Sequence, residues 1–168
     1  MATVLFQTQR ILCRQWVDSD LEAIYDVYSD EEGSRWVGDG TPITREESVR
    51  WLDVTFSNYS LRGYGMSTLI EKESDEVVGF CGLVHPGGQE TAEIKYAFSK
   101  SRWGLGYASE VVPAMISYGQ NEHGLNRIIA TVADGNKASQ RVLQKSGLVR
   151  SDEYEEDGQT VLVYEWKA

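Results

Sequence analysis

A chain of 168 residues is long enough for one domain with its own core, and 41% hydrophobic with 25% charged residues is an ordinary globular balance. No run approaches the roughly 18 apolar residues of a membrane span. A net charge of -10, from 16 basic and 26 acidic residues, argues against nucleic acid as a partner and is compatible with a cationic one.

The opening MATVLFQTQR is apolar for only a few residues, with no basic leader or cleavage pattern, so a secretory signal is not expected and a cytoplasmic location is. RILCRQWV reads as a first strand. DSDLEAIYDVYSDEE reads as a helix, with Asp18 or Ser19 as N-cap and Leu21, Ile24, Tyr25 and Tyr28 at helical spacing. EEGSRWVGDGTP, carrying Trp36, reads as a loop of the kind that borders binding sites. Thr44 followed by Glu47 forms a capping box for a second helix over TREESVRWLDVTFSNY.

From Tyr64 the period changes to that of strands. GMSTLIEK and VVGFCGLVH form a hairpin around ESDE, and TAEIKYAFS alternates strictly, with Ala92, Ile94, Tyr96 and Phe98 on one face and Glu93, Lys95 and Ala97 on the other. A third helix follows SRWGLG, with Ala108, Val111, Val112, Met115 and Tyr118 as its apolar stripe and Pro113 predicting a bend. NRIIATVA is a further strand. NKASQRVLQKSG is a short helix capped by Asn136 and closed by Gly147 with Leu148 as the apolar partner. A final hairpin turns at Asp157 and Gly158. The mixture is that of an α/β or α+β sheet with helices on its faces, in one domain over residues 1–168. Cys13 and Cys81 read as reduced core residues, and His85 and His123, far apart, form neither a metal site nor a triad.

The chemistry concentrates at SRWGLGYASE. Gly104 and Gly106 before a helix present unpaired backbone N–H groups and the positive end of the helix dipole, an arrangement that binds phosphate; a merely glycine-rich helix start is the alternative. No G-x-x-x-x-G-K-[ST] and no complete G-x-G-x-x-G with its distant acid is present, so the common nucleotide loops are excluded. On the next helix Lys137, Arg141 and Lys145 recur every four residues as one basic stripe.

WGLGYASE at 103–110, preceded by AEIKYAF and followed by NKASQRVLQKSGL at 136–148, resembles the GNAT acetyltransferases, especially the RimJ/RimL-type branch that acetylates protein N-termini. The resemblance implies a mixed, mostly antiparallel central sheet of about seven strands, splayed at a cofactor slot and flanked by about four helices. It implies acetyl-CoA as the donor, its pyrophosphate held by a Q/R-x-x-G-x-G/A loop. Here that loop runs from Trp103 through Gly104, Leu105, Gly106 and Tyr107 to Ala108, with Trp103 where Gln or Arg is usual and Arg102 beside it to supply charge. The stripe carrying Arg141 would suit the 3′-phosphate. Backbone groups of Tyr96, Ala97 and Phe98 would hold the pantetheine arm as an added strand.

Where many members carry a tyrosine on the last helix this chain has Leu143, so Ser139 is implied as hydrogen-bond donor to the departing sulfur and Asn136 as the residue positioning the pantetheine or acetyl end. Glu93 and Glu155 are the candidate bases. An α-amine, titrating near roughly 7.7–8.0, needs less help than a lysine near roughly 10.4, which favours a protein or peptide N-terminus as acceptor. A small cationic amine (a polyamine, an aminoglycoside or an amino acid), a non-catalytic coenzyme A module, and a nucleotide-binding protein of another fold are the alternatives. No metal is expected, and the protein is read as a monomer or homodimer.

Overall fold

The structure is a computed structural model that describes residues 2–32, 34–35 and 41–168; Trp36 and the middle of its loop lie outside the described residues. Among the described residues the order is β1 (Val4–Gln7), β2 (Ile11–Gln15), α1 (Leu21–Ser29), α2 (Arg45–Arg62), β3 (Met66–Glu71), β4 (Glu76–Val84), β5 (Ala92–Phe98), α3 (Tyr107–His123), β6 (Arg127–Ala133), α4 (Lys137–Lys145), β7 (Val149–Glu156) and β8 (Gln159–Lys167). The strands form one sheet in the order β1-β2-β3-β4-β5-β6-β8-β7, antiparallel except between β5 and β6. The expected α/β architecture is therefore present, with eight strands where about seven were expected. The additional one is β1, a four-residue strand too short to show a period, made regular by its pairing with β2 (Phe6 opposite Cys13, Gln7 opposite Leu12).

The caps illustrate how local chemistry sets the elements. Thr44 Oγ1 accepts from the Glu47 N–H at 3.1 Å and Glu47 Oε1 accepts from the Thr44 N–H at 3.2 Å, which completes the capping box of α2. At α1 the expected N-cap is displaced. Asp18–Asp20 form a 3₁₀ turn, α1 begins at Leu21, and the Asp20 carboxylate is buried instead with Arg14 (2.8 and 3.0 Å), the Val17 N–H (3.0 Å) and the Thr68 hydroxyl (2.9 Å). α4 ends as expected. Gly147 has φ +91°, its N–H bonds to the Gln144 carbonyl at 3.1 Å, and the Leu148 N–H bonds to the Leu143 carbonyl at 3.0 Å. α3 runs unbroken through Pro113.

Side chains on the two faces of the sheet make two cores. Ile11, Leu69, Leu83, Ile94, Ile128 and Leu162 pack with Val111, Met115 and Leu143 of α3 and α4. Trp16, Phe80 and Met66 pack with Ile24 and Tyr28 of α1 and Leu52 of α2. Val78 is the extra residue of a bulge between the pairs Gly79–Leu69 and Val77–Ile70, which lets it join the first core although Phe80, two residues on, joins the second.

The feature that matters for function lies between β5 and β6. Their parallel pairing consists of Ala92 opposite Ile128 and Glu93 opposite Ile129. Beyond that point β5 continues against β4 as far as Phe98, and β6 against β8 as far as Ala133, so a gap opens between two strands that are each paired on the outer side.

Candidate active site

The loop before α3 places the expected glycines in the left-handed region, Gly104 at φ +76° and Gly106 at φ +82°. A Cβ on Gly104 would have no atom within 4 Å, so its backbone faces open space. The first backbone bond closing α3 runs from the Glu110 N–H to the Gly106 carbonyl at 3.2 Å. The amides of Tyr107, Ala108 and Ser109 precede it and carry no intrahelical partner, which is the geometry an anion needs.

The cation beside this cradle is Arg10. Its Nη2 lies 3.5 Å from the Cβ position of Gly106, its guanidinium stacks 4.3 Å from the centre of the Tyr107 ring, and its Nε bonds to Glu110 at 2.8 Å. Arg102, expected to serve the loop, is instead committed to Glu71 (3.1 and 3.2 Å) and Glu76 (2.7 Å). Glu71 lies under the loop and also accepts from the hydroxyls of Tyr107 and Ser74, so Tyr107 can offer a phosphate its amide but not its phenol. The Tyr107 bond first, then Arg102 and Ser74, bring the Glu71 carboxyl down to about 2. Trp103 donates its indole N–H to the Phe98 carbonyl at 2.9 Å, which fastens the loop to the end of β5 and engages a carbonyl expected to meet the pantetheine arm.

Across the gap, the Tyr96 hydroxyl on β5 and Ser139 Oγ on α4 are hydrogen-bonded at 2.6 Å. Burial, partly offset by that bond, pushes the Tyr96 phenol up to about 12. Asn136 Oδ1 accepts from the Ser139 N–H at 3.2 Å, so one end of its amide caps α4. Arg141 and Lys145 are exposed on α4 and make no ion pair among the described residues, whereas Lys137 faces Asp134 at 3.6 Å.

Glu93 and Glu155, the two candidate bases, have different settings. Glu93 is 4% exposed, at the point where β5 and β6 part, and its carboxylate holds Lys95 (3.0 Å), Thr131 (2.9 Å) and Gln89 (3.3 Å). Glu155 is exposed on the edge strand β7 and accepts from Thr160 at 2.6 Å. Being three residues apart on a strand, Glu93 and Tyr96 project to opposite faces. Beside the hairpin, Arg35, Ala133, Asp134, Gly135, Gln159 and Thr160 line a cleft of about 360 Å³; a second, of about 570 Å³, is lined by Glu31, Glu32, Arg35 and Lys100.

A family profile described as "Acetyltransferase (GNAT) domain" matches residues 10–149, from β2 to the start of β7. The chain belongs to the GNAT family. This GNAT protein is an acetyltransferase, and the family's donor is acetyl-CoA. It is 33% identical over 159 residues to "Uncharacterized N-acetyltransferase YoaA" of Bacillus subtilis (strain 168), covering 90% of this chain and 89% of the relative. The crystal structure of an acetyltransferase (GNAT family) from Bacillus anthracis superposes with a TM-score of 0.81 at 25% identity, covering 99% of this chain and 98% of that one. RimL, a ribosomal L7/L12 α-N-protein acetyltransferase in complex with coenzyme A, matches at TM-score 0.82 and 16% identity over 98% and 97% of the two chains. Spermidine N-acetyltransferase from Vibrio cholerae, in complex with CoA and spermine, matches at 0.79 and 14% over 94% and 95%. At such identities the last two speak for the fold alone.

Two features of this GNAT protein escape a reading of the sequence. Arg10, in the turn between β1 and β2, is held at the glycine loop by its bonds to Glu110 and its stacking on Tyr107, and nothing in RILCRQ marks it. The resemblance points to the backbone of Tyr96, while its hydroxyl, bonded to Ser139, becomes visible only when β5 and α4 are placed together.

Proposed function

We propose that this protein transfers the acetyl group of acetyl-CoA by direct attack to a primary amine, and that its acceptor is the α-amine of a protein or peptide, as in the RimJ/RimL-type branch, in the cytoplasm. The observation that carries the reading is the gap between β5 and β6, with Glu93 on one face and Tyr96 and Ser139 on the other. Bound acetyl-CoA supplies a thioester carbonyl. The amides from Leu105 to Ala108, with Gly104 and Gly106 leaving them bare, hold its pyrophosphate beside Arg10, and Arg141 faces the 3′-phosphate. Tyr96 and Ala97 align the pantetheine arm, and Asn136 supports its reactive end.

In this arrangement an amine approaches from the side of Glu93 and sulfur departs toward Ser139. A serine hydroxyl is a far weaker acid than a thiol with its reference value near about 8.5, so Ser139 stabilises developing thiolate charge by a hydrogen bond and does not protonate it fully. Glu93 takes up the proton of the attacking amine, directly or through water, by exchanging one of its present partners. An α-amine is already appreciably neutral near pH 7 and asks less of a base than a lysine does, which supports that acceptor.

A small cationic amine is the second reading, with which the net charge of -10 is compatible. Titration calorimetry with acetyl-CoA, followed by thiol-release assays on peptides with free N-termini and on spermidine, tests both. Turnover of peptides alone supports the first reading, and turnover of spermidine alone overturns it. Binding without turnover of any amine leaves a non-catalytic module.

A further inference from the structure

We propose that the Tyr96 hydroxyl is a positioning residue for the departing sulfur: it donates to Ser139 Oγ and thereby leaves the single proton of that serine directed into the gap between β5 and β6. The proposal rests on the acetyl-transfer reading above and deepens it by assigning the side chain of Tyr96, in addition to its backbone, to the leaving-group side.

Ser139 has one proton and two neighbours to serve. Were it donated to Tyr96, the serine would turn a lone pair toward sulfur and repel the thiolate that forms there. The surroundings favour the opposite order. The Tyr96 ring packs against the core formed with α3 and α4, which holds its hydroxyl at 2.6 Å from Ser139 Oγ, its one hydrogen-bond partner among the described residues. The serine is held from its other side, because its backbone N–H is bonded to Asn136 Oδ1. Because burial keeps the phenol protonated up to about 12, Tyr96 remains a donor at every pH at which an amine is a competent nucleophile.

The step balances without proton transfer through the pair. The amine nitrogen bonds to the acetyl carbon, the carbon–sulfur bond breaks with its electron pair leaving on sulfur, and the amine proton passes to Glu93 or water. The two hydroxyls donate in series, Tyr96 to Ser139 and Ser139 to sulfur, and both end as they began.

The test needs no acceptor. Binding of coenzyme A and of desulfo-coenzyme A is measured by calorimetry from about pH 7 to about pH 10, across the ordinary thiol value near 8.5. For the unaltered protein, affinity for coenzyme A relative to the sulfur-free analogue is expected to rise about tenfold as the thiol ionises, the scale of a hydrogen bond to a charged group. Tyr96→Phe and Ser139→Ala should each lose most of that rise, read as the ratio of the two affinities at each pH so that a loss common to both ligands cancels, and the double variant should lose no more than Ser139→Ala alone.

A Tyr96→Phe protein that keeps the full rise overturns the proposal, as does one that loses affinity for both ligands equally, which marks a purely structural role. If Tyr96→Phe does not fold, fluorotyrosine at position 96 replaces it. The more acidic phenol should start the rise at lower pH, and an unmoved profile overturns the proposal. Failure of the unaltered protein to bind coenzyme A removes both readings, whereas binding without acetyl transfer removes only the catalytic one and leaves the sulfur readout to decide.

Discussion

Arg10 and Gly106 face each other across the mouth of α3, with Arg10 Nη2 3.5 Å from the point a Cβ on Gly106 would occupy. Gly106→Asp is therefore expected to place a carboxylate between the guanidinium and the bare amides of Tyr107 and Ala108. Acetyl-CoA affinity should fall at least tenfold, about 1.4 kcal/mol. The left-handed φ of +82° adds a conformational cost of roughly 1–2 kcal/mol, small enough for the fold to survive. Calorimetry alongside thermal unfolding separates the two effects, and unchanged affinity would remove the loop as the phosphate site.

Glu93→Gln and Glu155→Gln should behave differently. Glu93 stands where β5 and β6 part, so its variant is expected to lower kcat about 100-fold, the scale of general base catalysis, with little change in KM for acetyl-CoA. Glu155 lies on an exposed edge with Thr160, and its variant should stay within about twofold, as for a surface carboxylate. Steady-state kinetics on the accepted amine reads both, and two neutral variants would assign deprotonation to solvent.

The bonds from Tyr107, Arg102 and Ser74 hold the Glu71 carboxyl at about 2, below its ordinary 4.5. A folded-state value lower than the unfolded one means that the charged form is favoured by folding. This contribution is complete above pH 4.5 and is lost as pH falls toward about 2. Thermal unfolding between those limits should show a declining Tm that Glu71→Gln flattens, and parallel pH profiles for the two proteins would count against it.

Gly82 has no room for a side chain. A Cβ there would stand 2.4 Å from the Gly65 carbonyl oxygen and 2.5 Å from Met66 Cα, both backbone atoms that cannot turn aside. Gly82→Ala is expected to cost about 2–3 kcal/mol by forcing β3 and β4 apart. Denaturant unfolding measures this, and a loss under about 0.5 kcal/mol, that of an ordinary surface change, would contradict it.

The segments most legible in the sequence are those whose chemistry is local. The two ends of α4 were readable because Asn136, Gly147 and Leu148 bond within their own turns, and the glycine loop because its φ values are a property of its own residues. What escaped depends on partners distant in the chain. Arg102 looked available because Glu71 and Glu76 lie on a different hairpin, Arg10 looked unremarkable because the loop it serves comes far later, and β1 is a strand only by virtue of β2. Asp18 and Ser19 look like caps because their type and place suit a helix start, while the actual start one residue after Asp20 follows from the bonds of that carboxylate to Arg14 on β2, which lies outside the local pattern.

The narrow junction of β5 with β6 also bears on how the chain folds. On either side of it the strands come from contiguous stretches, β1 to β5 from residues 4–98 and β6 to β8 from residues 127–167, and each stretch completes its own antiparallel ladder without the other. Among the described residues the backbone ladder joins the stretches at two pairs, Ala92–Ile128 and Glu93–Ile129, and side-chain bonds such as Tyr96–Ser139 and Glu93–Thr131, with the core gathered around α3, complete the contact. Most of the sheet can thus assemble from neighbours in sequence, at modest loop-closure cost, and joining the two halves becomes a docking event between nearly finished pieces.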